Sequence, residues 1–318
     1  MMRLPLVALL ALSLTLALSC AQPEDIPSNV RDLRMLAMRL DPPELMAPQC
    51  PDPQDPQLSP ALLAPFLVPL ELTALVQDPA GEGRAIEWTL WSCPKGDALT
   101  CDDPNDRVRL GDGSQAAGAW RIPIEGLAVA TVQGTDGPVP LLQRVIEEDT
   151  YRGLGGIRVP LFLHLRAGEE EIWAQKLMVF SCRLFPDMNA NVNPELPDIL
   201  LDGEVWPADS VPTVRGPGPF EVEPADFGDR QEDYVVPSFE LQPVHLREAW
   251  KIAWHADFGR FSPNGTGGAD FGGGEPRHRT EWVPKRGSAE PREVRFWFVV
   301  RDGRGGMSWT ERTLRYEP

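Results

Sequence analysis

Residues 157–181 read IRVPLFLHLRAGEEEIWAQKLMVFS, and they decide the fold class. Ile157, Val159, Leu161, Leu163 and Leu165 recur at every second position, with mostly polar or basic neighbours between them. A period of two puts the aliphatic set on one face of a strand, whereas a helix needs spacings of three and four. Ala167-Gly168-Glu169 then turns the chain back through Glu171–Ser181, so the segment predicts a long antiparallel hairpin.

The same signature extends outward in both directions. Leu70, Leu72, Ala74 and Val76 alternate within Leu70–Gln77, and Ile86, Trp88 and Leu90 within Ile86–Cys93. Arg31–Leu40 is the expected opening strand, stopped by Asp41-Pro42-Pro43, and a proline-rich stretch from Pro48 to Pro69 delays the next one. Between Trp120 and Gly156 the alternation blurs, and Leu141–Thr150 reads as a short helix. Beyond the Asn/Pro-rich run Phe185–Pro194, strands are expected at Ile199–Leu201, Tyr234–Phe239 and Trp250–Asp257. Gly259–Glu275 holds seven glycines and reads as loop. A closing hairpin joins Arg295–Arg301 to Met307–Tyr316 through Asp302-Gly303-Arg304-Gly305-Gly306, where Asp-Gly supplies the positive φ of a tight or bulged turn.

Both halves therefore share a plan: an opening strand, a tryptophan-bearing middle strand and a long closing hairpin. The expected architecture is all-β, a divergent tandem repeat of one sandwich. The first unit spans 30–185, an Asn/Pro linker 186–197 and the second unit 198–318. The 34 prolines and 28 glycines come with ten tryptophans and 42% hydrophobic residues, which suits many turns between short strands rather than disorder. A net charge of −17, from 47 acidic against 30 basic residues, argues against nucleic-acid partners and against attachment through a polybasic patch.

The amino terminus carries an address. Arg3 precedes the apolar run Leu4–Leu18, and Ala17-Leu18-Ser19 leads into Cys20. A basic residue, an apolar core of this length and a small residue before the cut describe a cleaved secretory signal over residues 1–19. An ordinary cut near Ala17 or Ala21, releasing a soluble periplasmic protein, is the rival reading. Residues 20–29 read as a tether without periodicity. Four further cysteines remain, an even number in an exported chain, which allows three disulfide pairings. Cys93–Cys101 closes the shortest loop and leaves Cys50 for Cys182. Zinc is disfavoured because no Cys-x-x-Cys pair exists and the histidines are remote in sequence.

Two resemblances add to this reading. Cys20 after Ala17-Leu18-Ser19 resembles a bacterial lipoprotein signal, with Ala17 where such boxes usually carry Leu. That implies an acylated (palmitate-bearing) Cys20 as first residue of the mature chain, and Ala21 rather than Asp after it implies outer-membrane destination. Trp254, then Gly259-Arg260-Phe261-Ser262, Glu281-Trp282-Val283-Pro284 and Phe298–Gly306, resemble an immunoglobulin-like or PKD-like β-sandwich of bacterial surface proteins. The first half resembles that class through Ala74–Pro79 and Trp88–Pro94. The whole chain looks like lipoproteins of deltaproteobacterial type, with two immunoglobulin-like domains in tandem after a lipoprotein signal peptide. In that topology the first and last strands of the first domain run parallel as neighbours, which brings Cys50 toward Cys182.

Chemistry-bearing motifs are sparse. Asp187-x-Asn189-x-Asn191-x-Asn193, with Asp198 beyond, alternates hard oxygen ligands in the manner of a calcium loop; Asp187, Asn189, Asn191 and Asp198 are the candidates. Val192 occupies the place where an EF-hand would want Gly, and Asn and Pro equally make a plain linker. His164, His245, His255 and His278 show no metal-binding spacing, no Gly-x-Ser-x-Gly elbow occurs, and the glycine-rich loop lacks Gly-Lys-Ser/Thr. Trp206, Trp282 and Trp309 lie near strand ends or turns, where an exposed ring can stack on sugars or a partner protein; Trp88, Trp254 and Trp297 read as core, and core packing is the expected role for most tryptophans. The expectation is a non-catalytic envelope module without cofactor. It would be held to the membrane by lipid and bind an envelope protein or polysaccharide through loops or sheet edges of its distal domain.

Overall fold

The computed structural model describes residues 27–318 apart from residues 53, 67–69, 96–100, 102, 104–105, 135 and 269–277. The expected signal peptide, Cys20, most of the expected tether and much of the glycine-rich loop lie outside the described residues.

The decisive hairpin forms as read: β9 (Ile157–Ala167) pairs with β10 (Glu170–Cys182) from Ile157↔Phe180 to Ala167↔Glu170. Around it the first unit builds two sheets. One is antiparallel, β1 (Arg34–Leu40), β3 (Leu70–Gln77) and β6 (Gly118–Ile124), in the order β1-β3-β6. The other adds β2 (Glu44–Ala47), β4 (Ile86–Ser92) and β5 (Val108–Gln115) to the hairpin, in the order β2-β10-β9-β4-β5. A helical turn, α1 (Pro60–Leu63), a small hairpin of β7 (Thr131–Gly134) and β8 (Gly137–Pro140), and α2 (Leu141–Glu148) fill the connections. Leu141, Leu142, Val145 and Ile146 of α2 are buried on the core, because an amphipathic turn sequence closes the open end of the sandwich.

The second unit repeats the arrangement. β11 (Ile199–Leu201), β12 (Glu204–Trp206), β14 (Phe220–Pro224), β18 (Arg260–Ser262) and β20 (Thr280–Val283) run in the order β12-β11-β14-β20-β18. β13 (Thr213–Arg215), β17 (Lys251–Ala256), β19 (Gly265–Gly267), β21 (Arg292–Arg301) and β22 (Met307–Glu317) run in the order β13-β22-β21-β17-β19. β15 (Asp233–Pro237) and β16 (Pro243–Arg247) form a separate hairpin. In each unit a short early strand lies parallel to the last strand, β2 to β10 and β13 to β22, and the other pairs are antiparallel. That strand order is an immunoglobulin-like β-sandwich, present twice.

Two details depart from the linear reading. The opening strand β1 stops at Leu40 as read, but it is not the parallel neighbour of the last strand: Asp41-Pro42-Pro43 carries the chain to a further strand in the other sheet, β2, and β2 runs beside β10. Ala47 therefore lies opposite Cys182, and the Cys50–Cys182 bridge closes across a Cα separation of 4.9 Å. The second detail is β5, whose glycines hid it. A Cβ at Gly113 would lie 2.9 Å from the Trp88 ring, so the strand keeps glycine where the tryptophan packs.

Candidate functional site

The two sandwiches meet face to face. Leu36, Ala37 and Leu75 on the outer side of the β1-β3 sheet pack against Trp297 and Val299 on the outer side of β21, with Met307 and Trp309 at the margin. The amino-terminal segment crosses this seam. The Val30 amide donates to the Ala256 carbonyl (2.7 Å), the Ala256 amide donates to the Ser28 carbonyl (2.8 Å), and the Phe261 amide donates to Ser28 Oγ (3.1 Å). Ser28 and Asn29, read from the sequence as tether, thus form an added parallel strand on β17 of the second unit. Val30 is fully buried between the units. His255 Nδ1 faces the Pro27 carbonyl at 3.2 Å, and burial pushes its imidazole down to about 4, so the ring is neutral near pH 7.

The linker closes the other side of the seam. Asn191 is buried; its side-chain amide donates to Asp302 Oδ2 (2.7 Å) and its backbone amide donates to Glu44 Oε2 (2.7 Å). Asn193 bridges the units, donating to the Leu40 carbonyl and accepting from the Met307 amide. The Asp302 carboxylate collects the amides of Arg304, Gly305 and Gly306, which shapes the closing turn the sequence predicted. Lys176 of β10 donates to the Gly305 carbonyl across the interface. Its ammonium is drawn down to about 8 by burial, against the pull of Asp302.

At the mouth of the seam Arg304 gathers Glu232 (3.2 Å), Glu44 (3.5 Å) and Glu248 (3.7 Å), with its guanidinium over the Tyr234 ring. Glu248 is buried and accepts from Trp250 Nε1; burial raises its carboxyl above the ordinary range. Beside this cluster opens a cleft of about 240 Å³. Met46, Gly155 and Arg158 of the first unit form one wall, Val236 and Leu246 of the hairpin the other, and Met188 of the linker lies between them. Every residue of β16 is exposed, as is Phe239 at the hairpin tip. The Glu248 amide bonds to Glu232 and the Ser238 amide to Gln242. In an antiparallel ladder bonded pairs alternate, so Val244 and Leu246 bond inward to β15 while the amides of His245 and Arg247 face the open edge. Among the described residues the hairpin thus combines an unpaired strand edge with apolar side chains beside a cleft.

The candidate calcium ligands do not converge. Asp187 points toward exposed His245 (3.9 Å), the Asn189 carbonyl accepts from Arg304, Asn191 bonds Asp302, and the Asp198 carbonyl accepts from Ala225. Among the described residues no group of three or more His, Cys, Asp or Glu side chains is arranged around a common point for a metal. Asn191 and Asn193 are engaged in joining the units, Asn191 through its amide nitrogens and Asn193 through both ends of its side chain, a use that spacing alone does not reveal. Cys93–Cys101 is bridged.

Trp206 and Trp282, which lie near strand ends and admitted either an exposed or a core reading, are core residues at 2% and 0% exposure. Trp206 packs edge-on to Phe296, and Trp282 against Phe296 and Tyr316. Trp309 is half-buried at the seam. On the outer face of the first unit, Trp173 is half-buried, stacked on His164 at 4.2 Å on one side with the Arg107 guanidinium 6.0 Å from its ring. The Trp173 indole donates to Glu171, and this bond with His164 nearby holds that carboxyl below its ordinary range. No tryptophan among the described residues is exposed enough to offer a sugar a clear ring face.

No protein-family model matches this chain, and no curated protein does. Among solved structures, a chimeric titin Z1Z2-Z1Z2 tandem is similar over 90% of this chain and 100% of its own, at 8% identity and a TM-score of 0.21. The two tandem V-type regions of a v-region-containing chitin binding protein are similar over 90% of this chain and 100% of theirs, at 10% identity and a TM-score of 0.21. Red sea bream transglutaminase is similar over 90% of this chain at 8% identity and a TM-score of 0.22, and the chain spans 32% of that enzyme's length. The immunoglobulin-like assignment rests on the strand order described above.

Proposed function

We propose that this chain is a lipid-anchored, non-catalytic protein of the cell envelope, acylated at Cys20 and directed to the outer membrane, that binds or scaffolds a protein partner. The observation that carries the binding role is the hairpin β15–β16: an exposed strand with an open edge, two apolar side chains and an exposed Phe239, standing beside a cleft. An extended segment of a partner adds to such an edge through main-chain hydrogen bonds and seats alternate side chains in the cleft. Nearby ionisable groups are committed to one another around Arg304, which suits a rigid platform better than acid–base catalysis. The polysaccharide reading loses its support with the burial of Trp206 and Trp282.

The test is capture from detergent-solubilised envelope by the lipidated protein, compared with the variants Cys20→Ser and His245→Pro. His245→Pro removes an edge amide that does not bond to β15. The expected result is a partner whose capture falls about tenfold in His245→Pro, equivalent to about 1.4 kcal/mol, a typical single hydrogen bond. Equal capture by both proteins overturns the edge-binding role. An unmodified amino terminus in the mass spectrum of the mature chain overturns the anchor.

A further inference from the structure

Asn264 and Gly265 stand side by side where β18 hands the chain to β19, and this junction brings together the conditions for a reaction of the backbone on a side chain. Asn264 is exposed. β19 ends the sheet order β13-β22-β21-β17-β19, so no described strand pairs with its outer edge. The Trp254 amide donates to the Asn264 carbonyl (3.0 Å) and the Gly268 amide to the Trp250 carbonyl (2.8 Å), with Ile252 opposite Thr266 between them. Bonded pairs alternate in an antiparallel ladder, so Thr266 bonds inward and the Gly265 amide points off the open edge. Glycine also lacks the Cβ that would crowd an atom approaching this nitrogen.

We infer that Asn264 is a self-modification site, at which the folded protein converts asparagine to aspartate and isoaspartate. Hydroxide takes the proton of the Gly265 amide, and that nitrogen attacks Asn264 Cγ. A bond forms between Cγ and the Gly265 nitrogen, the Cγ–Nδ2 bond breaks, and Nδ2 leaves as ammonia with a proton from water, which returns the hydroxide. Water then opens the cyclic imide, giving aspartate by attack at Cγ and isoaspartate by attack at the main-chain carbonyl. The other asparagines among the described residues each lack a condition. Asn29 and Asn191 are buried and precede valine, Asn193 precedes proline, whose nitrogen carries no proton, and exposed Asn189 precedes Ala190. Isoaspartate lengthens the main chain by a methylene and turns the carbonyl that holds the Trp254 amide into a free carboxylate. Two residues on, Thr266 is buried and its Oγ1 accepts from Trp254 Nε1 (2.9 Å). The lesion therefore falls on a core indole tied to this segment by both its amide and its ring nitrogen, and the second unit loses stability as isoaspartate forms.

The test ages the folded protein in warm, mildly alkaline buffer, beside a sample unfolded in urea, and digests both with trypsin. Cleavage after Arg260 and Arg277 isolates residues 261–277, a peptide whose only side-chain amide is that of Asn264. Mass spectrometry reads the amide-to-acid change and, by backbone fragmentation, separates isoaspartate from aspartate. The expected result is conversion at Asn264 in the folded protein, with isoaspartate among the products and Asn189 unchanged. A Cβ at Gly265 meets its nearest neighbours at 3.7 Å, so G265A fits the fold, and it should slow the reaction at least about tenfold by crowding the nitrogen. The isoaspartyl fraction, separated by ion exchange, should unfold its second unit at lower urea than fresh protein, with the first unit's transition unmoved. N264D, which adds the charge without lengthening the backbone, should match fresh protein. Asn264 left intact in the folded protein, whatever happens in urea, or conversion as fast in G265A, overturns the site. An isoaspartyl fraction as stable as N264D overturns its link to Trp254.

Discussion

The two sandwiches reach the same strand order with different interiors. The first is filled mainly by aliphatic residues such as Leu72, Ile122, Val159, Leu161 and Leu163, and both disulfides lie within it. The second has no cysteine and is filled by rings: Trp254 and Phe261 with Phe296 and Phe298, and Trp282 with Phe296 and Tyr316, in edge-on or tilted contacts of 5.1–6.2 Å. Edge-to-face aromatic pairs contribute about 0.5–1.5 kcal/mol each beyond the area they bury. A covalent staple instead destabilises the unfolded chain, more so for the long loop between Cys50 and Cys182 than for the short one at Cys93–Cys101. Topology is thus shared where side-chain chemistry is not. The alternation of inward positions and the closing hairpin specify the fold, and either kind of interior stabilises it.

The largest effect should come from breaking the ring network. Trp254→Ala removes a fully buried indole that also bonds Thr266 Oγ1, and should cost the second unit about 3–5 kcal/mol. Urea unfolding followed by fluorescence and by proteolysis of each unit should show the second melting first, with the first unit's own transition little changed. Removing the staple, Cys50→Ser with Cys182→Ser, should lower the first unit by about 3 kcal/mol, and the pair Cys93→Ser with Cys101→Ser by less. If the short loop proves the costlier, the entropic account of the staple is wrong.

Arg304→Met tests the seam between the units. Three carboxylates lose their common cation, so stability should fall by about 2 kcal/mol at neutral pH. Glu248 already holds its proton more tightly than an ordinary carboxyl, so the loss should shrink as the buffer is made acidic. A penalty that does not change with pH would show that packing on Tyr234, not charge, is the contribution. The smallest effect concerns His255. Its imidazole titrates at about 4 when folded and near 6.5 when free, so between those values the unfolded chain binds the extra proton. Stability should therefore decline as pH falls through that window, and His255→Gln should flatten the decline in thermal melts.

The sequence exposed most of the framework because alternation is local. β9, β10, β3 and β4 each keep their apolar residues two apart, and the Asp302–Gly306 turn is written in the residues that need positive φ. Elements whose periodicity is short or diluted by glycine were not legible. β5 carries glycine for the sake of Trp88, and β12, β13 and β18 to β20 span only three or four residues. The hairpin β15–β16 was half-seen: Tyr234–Phe239 reads as a strand, while its partner Pro243–Arg247 lacks a buried face to impose alternation.

By itself the chain determined its all-β class and pointed to the tandem plan and to the short Cys93–Cys101 loop among three allowed pairings, since each of these depends on residue spacing along one strand or one turn. Only the tertiary structure decided what the linker asparagines bond, where Trp206 and Trp282 go, and that Ser28–Val30 pairs with the second sandwich. Those outcomes depend on which faces meet across the seam. Burial of a polar or aromatic group is a property of both surfaces at once, and no stretch of one strand encodes its partner.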